Sequence, residues 1–171
     1  MSLTTLPFPV DKAAAPTIEV QPRMHRKIST ELVGKIQTVL EQAIDVHPEF
    51  ENILISTADG FDIAAMIKDN DKESIRRLAA ISSSMLSLSI ELLAEMSAGE
   101  LKILTLEGEQ GNIFITQVSA DTFALSLTVI TRDKESLGKF FWLIRQLRQE
   151  IETLCAGAVQ VEPASEGSNG E

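Results

Sequence analysis

The 171-residue sequence predicts an α/β fold of the layered α+β kind, in which a five-stranded antiparallel sheet carries helices on both faces. The spacing of apolar residues changes between helical and strand periods along the chain, in the order helix, strand, strand, helix, strand, strand, strand, helix. The connections inside each group of strands are short, which requires antiparallel pairing. With 44% hydrophobic residues, a chain of this length can bury one sizeable core.

The first predicted helix begins after Ser29 or Thr30, either of which can accept a hydrogen bond from the first turn. Its apolar residues recur at the spacing of a single helical face, and Pro48 ends it. These apolar residues are Leu32, Val33, Ile36, Val39, Leu40, Ala43 and Ile44. We expect this helix to pack one face on the sheet.

A strand and a hairpin turn follow this helix. The strand covers 50–57, and its ILI run at 53–55 is apolar on both faces, which is typical of a central, covered strand. The TADG stretch at 57–60 contains Asp-Gly, which tolerates positive φ and predicts the turn. A role for Asp59 as metal ligand or general base would need clustered His, Asp or Glu, and only Asp62 is near in sequence. The turn is therefore the preferred interpretation.

The second predicted helix, over 71–98, carries more apolar surface than one contact layer needs. Asn70 with Glu73 resembles a capping box at its start, and Gly99 marks its end. Its apolar arc covers roughly 200°, against the roughly 100° that packing on one layer requires. Part of the arc repeats at spacings of 4, 3 and 4, as in the seam of a helix that packs against another helix. The seam residues are Ile81, Met85, Leu88 and Leu92.

We expect this seam to be a dimer interface, because the other two helices have single stripes suited to the sheet. Two alternatives remain: another helix of the same chain covers the excess, or these residues are simply exposed apolar groups. Beside the other edge of the arc lie small residues that leave the backbone approachable. These are Ala80, Ser83, Ser87 and Ala94.

Three short strands and a last helix complete the order. The strands cover 101–107, 112–118 and 123–130 and are joined by the turn-like sequences GEQG and SADT. The last helix starts at Asp133 and has one apolar stripe. The stripe contains Leu137, Phe140, Phe141, Ile144, Leu147, Ile151 and Leu154. Trp142 lies off it, which suggests a partly exposed aromatic of the kind found in binding hot spots; alternatively, it covers an edge of the core or a tail segment.

The ends of the chain differ in composition from its middle. Residues 1–27 are Pro-rich, and residues 157–171 are acidic and rich in Gly and Ser. The prolines of the first segment stand among small and polar residues, and the last segment has few large apolar groups, so we expect flexible tails on either side of a domain at 28–156.

Charge and cysteine content exclude several classes of protein. The net charge of -10 and the pI near 4.7 oppose binding to nucleic acid and to anionic lipid, and favour a protein partner. Cys155 is the single cysteine, so no internal disulfide can form. The first residues lack the basic and then apolar order of a secretory signal, and Glu91 and Glu95 interrupt the longest apolar stretch. We expect a cytoplasmic protein without membrane insertion.

The sequence contains no pattern typical of an enzyme. Gly138-Lys139 lacks the other residues of a phosphate-binding loop, and no dinucleotide glycine fingerprint occurs. The two histidines, His25 and His47, lie in a tail and at a helix end, away from a nucleophile in sequence. Cys155 is expected to be a half-buried helix residue, and Glu91 with Glu95 to be a solvated stripe rather than a metal site. No catalytic residue, metal or cofactor is predicted.

Three stretches resemble a known family. They are the hairpin ILISTADGFDIAA, the Ser/Ala-rich helix RRLAAISSSMLSLSIELLAEM and the following GELKILTLEGEQGNIFI. Together with the element order, they make residues 30–155 similar to the Roadblock/dynein light chain domain family, notably its bacterial MglB-like branch. The resemblance implies one long helix on one sheet face and two on the other, and homodimerisation through the second helix and the neighbouring third strand.

The resemblance also implies binding of a small Ras-like GTPase by a non-catalytic regulator or scaffold. On this reading the small residues beside the seam, with Trp142, form a candidate GTPase-contact surface. The alternative is a small-molecule-sensing domain of profilin-like or longin-like layering. A sensor needs a cavity with convergent polar groups, and the predicted strand interiors offer mainly Ile, Leu, Phe and Val.

Overall fold

The computed structural model of the protein describes residues 28–68, 71–120, 123–132 and 137–158, and its element order is the predicted one. The elements are α1 (Thr30–Val46), β1 (Phe50–Thr57), β2 (Asp62–Met66), α2 (Lys72–Glu95), β3 (Leu104–Gly108), β4 (Gly111–Ala120), β5 (Phe123–Thr131) and α3 (Leu137–Ala158). The tail at 1–27 lies outside the described residues. So does the predicted tail at 157–171, except that α3 continues to Ala158.

The five strands form one antiparallel sheet in the order β2-β1-β5-β4-β3. The central strand β5 pairs with β1 and β4, so that Val129 lies between Ile53 and Phe114. Helices α1 and α3 pack against the same sheet face as these three residues. Helix α2 packs against the opposite face, where it contacts Leu54. The predicted α+β architecture, with one helix on one face and two on the other, is confirmed.

Most of the apolar core lies between the sheet and the α1–α3 layer. Side chains of both helices and of β1, β4 and β5 meet there, and the rings of Phe114 and Phe140 are 5.6 Å apart. The largest of these side chains, including Phe50, Ile36 and Ile53, are 0–1% exposed. Fully burying such a side chain contributes about 1.5–3 kcal/mol, so this layer dominates the stability of the domain.

The starts of α1 and α2 are capped by hydrogen bonds from the first turn. The backbone N–H of Leu32 donates to the Ser29 side chain at 3.2 Å, as predicted. In α2 the cap is Asp71, whose carboxylate accepts from the N–H groups of Glu73 and Ser74. The prediction of Asn70 as the cap was therefore wrong by one residue; Asn70 itself lies outside the described residues.

Two predicted strand and helix boundaries also shift. Strand β3 begins at Leu104 rather than at 101, and the preceding carbonyl of Lys102 accepts a hydrogen bond from the Thr116 hydroxyl at 2.8 Å. The Thr116 hydroxyl thus takes up the Lys102 carbonyl, which would otherwise be available to accept a backbone hydrogen bond if β3 began earlier. Helix α3 is described from Leu137 onwards, and its predicted start at Asp133 lies outside the described residues.

Candidate interaction surface on the second helix

Helix α2 presents a stripe of large apolar side chains to solvent. The exposed fractions are 55% for Ile81, 70% for Leu88, 64% for Leu92 and 70% for Met96, and Met85 between them is half-buried. We call these five residues the α2 stripe. Four of them are the residues predicted as a dimer seam. The stripe extends over about four helical turns, to the C-cap residue Met96, and an exposed apolar surface of this kind is typical of an interaction site.

The orientation of α2 follows from the residues that it buries against the sheet. These are Ile75, Ala79, Ser82, Ser83 and Leu86. At 100° per residue, the α2 stripe lies about 120° around the helix axis from this buried side. Neither of the other described helices covers the stripe, because α1 and α3 pack on the other face of the sheet. The first alternative to a dimer seam, coverage by another helix of the chain, is thereby excluded for the described helices.

The opposite flank of α2 carries the predicted small residues, with one correction. Ala80, Ser87 and Ala94 are exposed, so this small flank is accessible as predicted. Ser83 is only 3% exposed, and its hydroxyl donates to the Ala79 carbonyl at 2.8 Å. Ser83 therefore lies beneath the surface, and its assignment to a contact surface was wrong.

The β1–β2 turn explains why the small flank has no large side chain at this point. Gly60 has a positive φ of 86°, and its N–H donates to the Thr57 carbonyl at 3.0 Å, so TADG forms the predicted turn. A Cβ at Gly60 would stand 3.0 Å from the Ala80 Cα and 3.0 Å from the Ser83 Oγ. The turn thus rests directly on α2, and larger residues at 80 or 83 would push it away.

Phe61 follows this turn and is 65% exposed. Its backbone is held in place, because its N–H donates to the Thr57 Oγ1 at 3.0 Å and its carbonyl accepts from the Thr57 N–H at 2.8 Å. A fixed, exposed aromatic beside the small flank is a candidate anchor for a partner. Sequence reasoning missed Phe61, although an aromatic residue directly after an Asp-Gly turn was a usable signal.

Trp142 is 57% exposed, as expected for a residue off the α3 stripe. It lies on α3, however, and the sheet separates α3 from α2. Trp142 and the small flank therefore cannot form one continuous contact surface within a single chain. The candidate surface predicted from the sequence divides into two.

Two titratable side chains of the described residues, Cys155 and Glu49, have a shifted pKa with a structural cause. Cys155 is 0% exposed, and burial raises the pKa of its thiol, which opposes thiolate formation. The Lys139 ammonium hydrogen-bonds the Glu49 carboxylate and lowers the pKa of that carboxyl. Among the described residues, no group of three or more His, Cys, Asp and Glu side chains is arranged to hold a metal ion.

One described helix, α2, is long and apolar enough by length and composition to cross a membrane. The same helix is one layer of the fold, with Ile75, Ala79 and Leu86 buried against the sheet. The apolar residues of α2 therefore fall into two groups, those buried against the sheet and those exposed in the α2 stripe. Glu91 and Glu95 both lie within the 24 residues of this helix, which still passes the test of length and composition. The two glutamates therefore do not by themselves exclude a membrane span, contrary to the expectation from the sequence.

Between α1 and α3 the structure has a shallow groove of about 210 Å³, whose lining includes Val46, His47 and Leu143. Sites for small molecules usually enclose about 300–1,000 Å³, a range that this groove does not reach. A surface concavity of about 540 Å³ beside Glu51, Lys68 and Arg132 is larger but open to solvent. Beneath the groove, Phe50 and Leu147 are buried and fill the space that an internal ligand would need.

Comparisons with known proteins agree with this geometry. The family model of the Roadblock/LC7 domain matches residues 36–130. No curated protein sequence matches the chain. Among solved structures, Myxococcus xanthus MglB is similar at 16% identity with a TM-score of 0.66, covering 80% of this chain and 98% of that one. The gliding protein MglB from Thermus thermophilus is similar at 13% identity with a TM-score of 0.62, covering 76% of this chain and 95% of that one.

A Roadblock/LC7 domain from Streptomyces avermitilis is similar at 14% identity with a TM-score of 0.60, covering 68% of this chain and 94% of that one. At these identities the likeness shows a shared fold. The family match covers more than half of the chain, from α1 through β5. The chain therefore belongs to the Roadblock/LC7 domain family, with the fold of its MglB-like branch.

Proposed function

We propose that this protein is a homodimeric, non-catalytic regulator or scaffold of the cytoplasm that binds a small Ras-like GTPase and modulates its nucleotide cycle or its location. The observation that carries the proposal is the α2 stripe, an exposed apolar surface on the helix through which the family resemblance implies dimerisation. The other flank of α2, with Phe61 beside it, remains free in such a dimer and is the surface that we assign to the GTPase.

The dimer is supported by the arrangement of the α2 stripe. A two-fold contact would bury the same patch on both copies and remove these side chains from water in one step. The chain exposes Leu88 and Met96 at 70% each, and burying large apolar side chains is the main driving force of association. The half-buried Met85 would then lie at the inner edge of the contact.

The double substitution Met85→Asp and Leu88→Asp tests the dimer. It would place unpaired charges opposite each other in the interface, which costs several kcal/mol. We expect multi-angle light scattering to show a dimer for the parent protein and a monomer with native circular dichroism for this variant.

Ser87→Asp with Ala94→Asp is the matched control, because it adds the same charge to the same helix on the small flank. This control should remain dimeric. A soluble, folded M85D/L88D variant that stays dimeric would show that the stripe is not the interface.

GTPase binding is tested by retention of candidate Ras-like GTPases, loaded with GDP or with a non-hydrolysable GTP analogue, on the immobilised protein. We expect retention to differ between the two nucleotide states and to fall at least tenfold in the dimeric S87D/A94D variant and in Phe61→Ala. Trp142→Ala should retain the GTPase at the parent level if α2 is the contact. Loss only with W142A would move the site to α3, and no retention in either state would refute the proposal.

A small-molecule sensor has less support. The groove between α1 and α3 is shallow, and large apolar side chains fill the layer beneath it. Neither observation provides the convergent polar groups that a ligand site uses for recognition.

A further inference from the structure

Several hydroxyl groups are buried where α2 meets the sheet and its β1–β2 turn. On the sheet, Ser56, Ser126 and Thr128 face α2 and are 0–1% exposed. They are neighbours across β1 and β5, since Ser56 pairs with Ser126 and Leu54 pairs with Thr128. On the helix, Ser82 and Ser83 are buried at 1% and 3% exposure. We call these five residues the hydroxyl layer.

Hydrogen bonds do not join the two sides of this layer. The hydroxyls of Ser56, Ser126 and Thr128 have no hydrogen-bond partner among the described protein atoms. The hydroxyls of Ser82 and Ser83 donate to carbonyls of their own helix, those of Leu78 and Ala79, at 2.7 and 2.8 Å. Leaving a buried donor without a partner costs about as much as losing a hydrogen bond. Each of these sheet hydroxyls therefore destabilises the arrangement in which α2 is packed on the sheet.

Apolar packing holds α2 less firmly than it holds the other two helices. The apolar cluster under α2 has three buried members, Leu54, Ile75 and Ala79, with Ala65, Ile67 and Leu78 partly buried against it; Leu86 is a further buried residue of α2, and no aromatic side chain is among these seven. The cluster under α1 and α3 contains buried side chains from both helices and three strands, among them Phe50, Phe114 and Phe140. Small side chains interdigitate less than large ones do. We therefore expect a lower barrier to displacing α2 from the sheet than to displacing α1 or α3.

We propose that α2 is a movable layer, which leaves its seat on the sheet while the sheet and the α1–α3 layer stay folded. The hydroxyl layer is the cause, since it takes the place of interlocking apolar side chains and of hydrogen bonds between α2 and the sheet. This inference goes beyond the proposed function and does not depend on a GTPase.

Hydrogen exchange of the full chain, read by mass spectrometry over α2 and over β1, β5 and α3, tests the proposal. We expect the slowest amides of α2 to open at least tenfold more often than those of β5. Replacing two of the three sheet hydroxyls in the variant Ser126→Ala with Thr128→Val should slow the exchange of α2 about tenfold or more and leave β5 unchanged, because only the Ser56 hydroxyl then remains without a partner in the folded state.

Thr116→Val is the control for losing a buried sheet hydroxyl that does not contact α2. Thr116 is as buried as Thr128, but it pairs with Leu127 on the face that α1 and α3 cover, and its hydroxyl donates to the Lys102 carbonyl at 2.8 Å. Removing it should not slow the exchange of α2. Exchange of α2 as slow as that of β5, or no slowing in S126A/T128V, would overturn the proposal. Repeating the measurement in the M85D/L88D variant removes any protection from exchange that a dimer adds to α2. The proposal of a movable α2 can therefore fail independently of the proposed dimer.

Discussion

Ser97 ends α2 in a backbone conformation that glycine normally occupies. Its φ is 51°, the left-handed region, and it directly follows the last helical cap residue, Met96. The N–H of Ala98 donates to the Leu93 carbonyl and that of Ser97 to the Ala94 carbonyl, the two bonds of a Schellman motif. The side chain at 97 makes this conformation costly, because a Cβ crowds the backbone there.

Ser97→Gly should therefore stabilise the protein. We expect the free energy of unfolding to rise by about 0.5–1 kcal/mol, since glycine adopts the left-handed region without the Cβ penalty. The measurement is urea denaturation followed by circular dichroism. Ser84→Gly, at an exposed position inside the same helix, should instead lower the free energy of unfolding by about 0.5 kcal/mol. A destabilised S97G variant would mean that the Ser97 side chain contributes more than its backbone costs.

Single residues of the small flank illustrate what the sequence can and cannot predict. Helical spacing was sufficient to place Ala80, Ser87 and Ala94 on one exposed flank. It could not show that Ser83 is buried, because Gly60 of the β1–β2 turn, which helps to cover it, lies 23 positions earlier in the chain (83 − 60). Contacts between distant segments have no signature in local periodicity.

At the scale of elements, α2 depends on a charged cap. The Asp71 carboxylate accepts hydrogen bonds from the Ser74 hydroxyl at 2.7 Å and from the N–H groups of Glu73 and Ser74 at 3.2 Å. These bonds, the Ser74 hydroxyl first, hold the pKa of Asp71 below its ordinary value of 3.8. A carboxyl whose pKa is lower in the folded state stabilises that state above its unfolded pKa.

Asp71→Ala should lower the thermal unfolding midpoint at neutral pH, because two N–H groups of the first turn lose their acceptor. The difference from the parent should be complete above pH 3.8 and should shrink as the pH falls below that value, since protonation removes the same interaction from the parent protein. Thermal scans of both proteins between pH 7 and pH 3 measure this. Asp71→Asn is the control, which should retain a capping acceptor at all pH values. A pH-independent difference between D71A and the parent would contradict the role of the charge.

The sequence predicted elements better than their ends. Long apolar stripes made α1, α2 and α3 evident, and β1 was predicted with the bounds that it has. The cap of α2 was misplaced because Asn70 and Asp71 are both good capping residues, and only backbone geometry chooses between them. The start of β3 was misplaced because a side-chain hydrogen bond from Thr116, remote in sequence, replaces part of the ladder.

At the scale of the whole molecule, the two sheet faces differ in kind. One face carries the large apolar core and two helices, while the other carries α2 on a smaller apolar cluster and the hydroxyl layer. The sequence indicated the excess apolar surface of α2, which is why a partner could be predicted. It did not indicate the hydroxyl layer, because isolated Ser and Thr residues in strands are equally typical of exposed faces.

A regulator that works through its surface should contribute no residue to the chemistry of a bound GTPase. Three arginines are candidates for an arginine finger. Arg76 and Arg77 are exposed in the first turns of α2. Arg132 is held in a two-point pair with Glu51, through Nε and Nη2 at 2.7 Å each, although its own side chain is 78% exposed. Its guanidinium therefore has a structural partner.

We expect Arg76→Ala, Arg77→Ala and Arg132→Ala each to reduce any stimulation of GTP hydrolysis by less than about tenfold. An arginine finger contributes roughly 10³ to 10⁵ in rate, whereas a surface contact acts by repositioning the GTPase's own residues. Single-turnover hydrolysis by the partner, at saturating concentrations of each variant, separates the two cases. Arg145→Ala on α3 is the control for loss of an exposed cation. A thousandfold loss at any one of the three, with binding and circular dichroism unchanged, would identify that residue as a finger and this protein as a direct participant in the reaction.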